Sequence, residues 1–228
     1  MKTSSCFPFA FRNTPMTDRK SPPVSSRRKP KQARSNDLVS AILEAALRVL
    51  ATEGAARFTT TRVAERAGVS VGSVYQYFPN KASILFRLQA DEWRQTTEML
   101  TRILLDTTRP PFERLRRLVH AFVRSECEEA AMRVALSDAA PLYRDAPEAH
   151  EARASGDRTI AAFMVEVLPE VPDATRALAG DLVTTTLAAV GKDFSERPRT
   201  PDEIDAYADA IADMFCAYLG RLQQAARA

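Results

Sequence analysis

Residues 59–81, TTTRVAERAGVSVGSVYQYFPNK, decide the fold. The stretch reads as two short helices joined by a tight turn. Val63, Ala64 and Ala67 recur at helical spacing and form one apolar face. Gly68 follows, where the first helix must end on a left-handed residue that glycine adopts without a Cβ clash. Ser70 is placed to cap a second helix, whose Val74 and Phe78 face inward four residues apart. A small residue at 64, a glycine at 68 and a β-branched residue at 74 have the spacing of a helix-turn-helix. The outer face of the second helix carries Gly72, Ser73, Tyr75, Gln76 and Tyr77. A core helix does not need so many hydrogen-bonding groups, whereas a helix laid in a DNA groove does.

Around this stretch the composition is that of a soluble globular chain. Of 228 residues, 45% are hydrophobic and 27% charged. Only seven glycines occur, and alternating β-branched runs are nearly absent, so the expected class is all-α. No apolar run approaches the ~20 residues of a membrane span. The cluster Phe7 to Phe11 is short and broken by proline, unlike a secretory signal, and the expected compartment is the cytoplasm. Met16 offers an alternative start. Cys6, Cys127 and Cys216 are far apart and only two histidines are present, which is neither a disulfide framework nor a zinc site. No metal or cofactor is expected.

The net charge of +3 hides an asymmetry. Residues 1–34 hold nine Lys/Arg against one acid, a charge of +8. Residues 35–81 carry +1, and residues 82–228 carry −6. The first segment, rich in Pro, Ser, Arg and Lys, reads as a disordered basic arm, either a solubilising tail or a contact to DNA phosphates. An acidic remainder is repelled by a polyanion, so DNA should meet the N-terminal end only.

Helical periodicity divides the rest. Ser35 is placed to cap a helix to about residue 53, with Leu38, Ile42, Ala45, Ala46, Val49 and Leu50 on one stripe and Gly54 at its end. Phe58 should plug the small core and Thr59 cap the next helix. Further helices are expected over about 81–105, 112–129, 130–140, 148–168, 174–194 and 201–226, with 142–147 a connector. Thr200-Pro201 followed by Asp202 and Glu203 is a strong helix start. The last helix has a wide stripe from Ile204 through Tyr207, Ala208, Ile211, Phe215, Tyr218 and Leu219 to Leu222. The helix before it offers small residues, among them Gly180 and Gly191.

The preceding helix ending in Glu53-Gly54, the Val-Ala-x-x-Ala-Gly-Val-Ser run at 63–70, the Gly72-Ser-Val-Tyr75 step, the Tyr77-Phe78 pair and Lys81 opening the next helix together resemble the DNA-binding head of the TetR/AcrR family of bacterial transcriptional regulators. The resemblance covers about residues 35–90 and implies three parts: a basic arm (1–34), a three-helix helix-turn-helix head (35–81), and a larger helical ligand-binding and dimerisation domain (82–228). It implies that Thr59, Thr60 and Thr61 lie against phosphates, that Val71, Gly72 and Ser73 read base edges, that Tyr75, Gln76 and Tyr77 meet phosphates or bases, and that Lys81 clamps a phosphate. For Tyr75 and Tyr77, packing is the competing assignment. The recognition helix has no Lys or Arg between Val71 and Asn80, so Arg62 or the arm is expected to supply charge. The last two helices resemble the pair that joins a two-fold mate; alternatively their stripes serve only the monomer core.

Chemistry in the larger part is sparse. Trp93, Met99, His120, Arg124, Cys127 and Tyr143 are the candidate ligand contacts, with Arg117 and Arg133 as further cations for an acidic ligand. His120, Arg124 and Cys127 share a helix face, for which partial burial in the core competes with ligation. An enzyme using Cys127 and His120 lacks a glycine-rich oxyanion turn nearby. The expected function is therefore a DNA-binding regulator, a homodimeric repressor released from a palindromic operator by a small molecule. A ligand-independent regulator or an activator is the alternative.

Overall fold

The computed structural model describes residues 33–139 and 147–227. Among them are nine helices and no strand: α1 Ala33–Arg57, α2 Thr60–Ala67, α3 Val71–Tyr77, α4 Lys81–Leu104, α5 Pro111–Glu128, α6 Ala130–Ala139, α7 Pro147–Val167, α8 Asp173–Ser195 and α9 Pro201–Arg227. The residues form two compact units. The first comprises described residues 33–92, 131–139 and 147–150; the second comprises 93–130 and 151–227.

In the first unit the predicted stripe of α1 is buried from Ile42 to Leu50, and Phe58 fills the centre with no exposed surface. Val63, Ala64, Val74 and Phe78 close on it from α2 and the α3 end, and Ile84 and Leu85 of α4 complete the core. Gly54 has φ 73° and breaks the helical path before Arg57. The expected cap at Ser35 is corrected: α1 begins two residues earlier, and Ser35 lies within its first turn. α6 joins this unit through Arg133, whose guanidinium pairs with the Glu92 carboxylate at 2.6 Å, both side chains almost fully buried.

In the second unit α5 is the central helix, packing most extensively on α9 and next on α8, whereas α8 and α9 barely touch each other. Leu115, Leu118, Val119, Phe122 and Val123 of α5 are buried. The α9 stripe is buried with them, from Ile204 to Leu219, while Tyr207, Tyr218 and Leu222 are partly buried against the same core. The α9 stripe is therefore used inside the protomer, the alternative named for it above. Gly180 and Gly191 of α8 serve the same packing, against Ile160 and Met164 and against Phe122. Pro147 starts α7 instead of ending a connector, a position that needs no N–H donor. The arm before Ala33 and the connector at 140–146, with Tyr143, lie outside the described residues.

Candidate nucleic-acid interface

α2 begins at an extended Thr59 whose hydroxyl accepts the Arg62 N–H at 3.3 Å. The amides of Thr60 and Thr61, in the first turn, have no helical carbonyl to reach and remain available to an anion. Gly68 ends α2 at φ 68°, and its N–H reaches the carbonyls of Ala64 and Glu65. Two residues later Ser70 caps α3, its Oγ accepting the Ser73 N–H at 3.0 Å. The hydroxyls of Ser70 and Ser73 also bond each other at 2.8 Å. Each helix end is thus closed by a residue inside the motif, which is why the motif is readable locally.

The exposed side of α3 carries Gly72, Tyr75 and Gln76, with Val71 and Ser73 half-exposed beside them. Tyr75 is 41% exposed and its Oη lies 3.2 Å from the Thr60 hydroxyl, linking the start of α2 to the outer face of α3. Tyr77 points the other way. It is only 6% exposed, and its Oη bonds the Ser35 Oγ at 2.8 Å. The placement of Tyr77 among DNA contacts is therefore corrected to a head-core residue tied to α1. Nothing in local spacing marks Ser35 as its partner, 42 residues away. Arg62 is likewise not a bare cation, because it pairs with Glu53. Lys81 is exposed at the start of α4, where the Asn80 Oδ1 accepts the Ser83 N–H at 2.9 Å.

Among the described residues the candidate ligand contacts have different surroundings. Trp93 is buried, and Met99 borders an internal void of about 10 Å³, room for one water. His120 Nε2 lies 3.0 Å from Asp209, and Arg124 donates to Asp205 at 2.9 Å. With Arg116 on Asp213, these form a row of pairs tying α5 to α9 at the surface, which corrects His120 and Arg124 from a pocket to an interhelical seam. Cys127 is half-buried, and burial, then the Glu126 charge, pushes its thiol up, so it stays protonated at neutral pH. Arg133 is occupied by Glu92 and Arg117 is exposed. No group of three or more candidate metal ligands occurs among the described residues.

Sequence reading did not single out Arg114. It is 1% exposed, donates to the Leu104 carbonyl and the Glu166 carboxylate, and lies 5.6 Å from the Phe163 ring centre. The available signal was its register, four and eight residues before Leu118 and Phe122 on the buried stripe.

A capped helix-turn-helix, with helices and no strand among the described residues, defines a DNA-binding regulator. The model of bacterial regulatory proteins of the tetR family matches residues 42–88, and that of the tetracyclin repressor-like C-terminal domain matches residues 110–222. The chain belongs to the TetR family of transcriptional regulators. The nucleoid occlusion factor SlmA of Vibrio campbellii (strain ATCC BAA-1116) is 38% identical over 82 residues, 35% of this chain and 40% of that protein. The match thus spans well under half of that relative's length. A TetR-family regulator from Mesorhizobium loti MAFF303099 superposes with a TM-score of 0.66 at 16% identity, over 82% of this chain and 98% of that one. NalD of Pseudomonas aeruginosa, the secondary repressor of the MexAB-OprM multidrug efflux pump, gives 0.57 at 20% identity, over 82% and 96%. SmeT in complex with triclosan gives 0.58 at 20% identity, over 80% and 91%. At these identities the likeness speaks for the fold.

Proposed function

We propose that the chain is a homodimeric repressor that binds a palindromic operator and leaves it when a small molecule occupies the larger domain. The observation that carries this reading is the outward face of α3. Val71 is suited to a thymine methyl, Gly72 to close backbone approach, and Ser73 and Gln76 to hydrogen bonds at base edges. Thr59, Thr60, Thr61 and Lys81 flank that face and are suited to phosphates, with Tyr75 held between them by Thr60. Two half-sites need two heads related by symmetry, hence a dimer. The outer sides of the last two helices, with Leu178, Leu182 and Met214 exposed, support a dimer surface there. Release follows if the ligand binds better to a head spacing that no longer fits successive major grooves. The repressor NalD and the triclosan complex of SmeT support repression and ligand response.

A second reading, a DNA-binding regulator without a ligand, is favoured by the identity to a nucleoid occlusion factor. Full-length chain used to select its own sites from random DNA tests both. Tyr75→Ala and Lys81→Ala should each weaken binding to the selected site by roughly 1–2 kcal/mol while the oligomeric state persists. Unchanged affinity in both variants removes DNA from this face. Binding that no metabolite pool relieves favours the second reading.

A further inference from the structure

α3 has seven residues, about 10 Å of helix, too short to hold an orientation of its own. Its caps do not supply one. The Ser73 N–H on the Ser70 Oγ and the Phe78 N–H on the Val74 carbonyl close the two ends from within, and they turn with the helix. The turn at Gly68, where the Val69 N–H reaches the Ala64 carbonyl at 3.0 Å, ties only the N-terminal end to α2. Inside α3 the buried residues are Val74 and Tyr77. Val74 and the C-cap Phe78 are apolar, and apolar burial is non-directional. They set how deep α3 lies, not how far it is rolled about its axis.

Two hydrogen bonds do depend on that roll. The Tyr77 Oη meets the Ser35 Oγ at 2.8 Å in the first turn of α1, and the Tyr75 Oη lies 3.2 Å from the Thr60 Oγ1 in the first turn of α2. Tyr75 and Tyr77 are about 200° apart around the helix, so one bond holds its buried side and the other its exposed side. The two are unequal. Tyr77 is almost wholly buried and its bond is partly shielded from water, whereas the Thr60 bond is exposed and water competes for both its hydroxyls. The inner bond therefore governs the roll. A roll of about 10° carries a side-chain tip about 5–6 Å from the helix axis through about 1 Å. That is larger than the ~0.5 Å range of ordinary hydrogen-bond lengths.

We infer that Ser35 is a positioning residue for base reading: through Tyr77 it sets the roll at which Val71, Ser73 and Gln76 meet base edges. Ser35 need not touch DNA to do so. The side chains suited to phosphates, Thr59, Thr60, Thr61 and Lys81, stand at the starts of α2 and α4 and do not turn with α3. Losing the bond therefore costs discrimination between sequences and leaves the sequence-independent part of binding in place.

This inference rests on α3 being the helix that reads DNA. Competition binding of the full chain tests it, at one salt concentration, on the selected site and on a scrambled duplex of the same composition. Ser35→Ala and Tyr77→Phe each remove one hydroxyl and keep the packing around it, and circular dichroism should find both folded. The ratio of the two affinities should fall ~10-fold in either variant and no further in the double variant, and it should recover in Ser35→Thr. Affinity for the scrambled duplex should stay at the wild-type value throughout. A wild-type ratio in both single variants overturns the positioning role alone. So do losses that add in the double variant. Weaker binding of Ser35→Ala to both duplexes alike, with Tyr77→Phe at wild type, overturns it too and makes Ser35 a phosphate contact. A wild type that enriches no sequence overturns the reading of α3 as well.

Discussion

Gly72 and Gly191 are both helical glycines, and their surroundings give them opposite meanings. A Cβ at 191 would lie 2.8 Å from Phe122 Cε1 and 3.2 Å from Glu126 Cγ. Phe122 is 1% exposed, so its ring must shift within the core to admit the methyl. Gly191→Ala should cost about 1–3 kcal/mol in urea denaturation; an unchanged midpoint would contradict the close approach of α5 and α8. A Cβ at 72 would meet only the Ser70 Oγ, at an ordinary 3.7 Å. Gly72→Ala should therefore leave stability unchanged or raise it by up to about 1 kcal/mol. On the proposed function it should nonetheless weaken DNA binding, because that proposal brings a base edge against Gly72. Full affinity in that variant would show that the DNA keeps its distance. Tyr75 and Tyr77 show the limit of residue-scale reading. They sit two apart on one short helix, and a partner 42 residues from Tyr77 decides which is buried.

Element boundaries follow from a few hydrogen bonds. At the start of α9 the Thr200 Oγ accepts the Glu203 N–H at 3.3 Å, and the Glu203 carboxylate accepts the Thr200 N–H at 2.8 Å. This reciprocal cap is legible as Thr-Pro-Asp-Glu, and Thr200→Ala should lower the unfolding free energy by about 1 kcal/mol. The Thr200 N–H holds the Glu203 carboxyl below its ordinary value, against a smaller opposing effect of burial. A depressed carboxyl contributes stability above its unfolded value, ~4.3, and loses it as pH falls through the lower folded value. The difference in thermal midpoint between wild type and Glu203→Ala should then be full at pH 7 and shrink below about pH 4. A difference constant down to pH 3 would count against the bond. What an element packs on is another matter. The α9 stripe was visible as a period, but a period names an apolar face and not the helix that covers it.

At the scale of the molecule, charge is divided along the chain. The +8 segment at 1–34 precedes a head of +1 and a remainder of −6. The face of α3 offers shape and hydrogen bonds but no cation, and Arg62 is neutralised by Glu53. Electrostatic affinity should therefore come largely from the arm. Deleting residues 1–32, which hold eight Lys/Arg, spares α1. The slope of log affinity against log salt should become shallower by about 0.9 for each phosphate that the arm no longer neutralises. An unaltered slope would show that the arm neutralises none.

The sequence by itself determined the head. Thr59, Gly68 and Ser70 act through caps and turns that close within three or four residues, and such short-range geometry is written in the order of the side chains. It also determined that the remainder is helical. Only the tertiary structure decided that Tyr77 turns inward to Ser35, that His120 and Arg124 are bound to α9, that Arg114 is buried, and that the α9 stripe belongs to α5. The physical reason is that apolar burial is non-directional, so periodicity states that a face must be covered without stating by what. The ion pairs that choose the partner join residues some 50 to 100 positions apart.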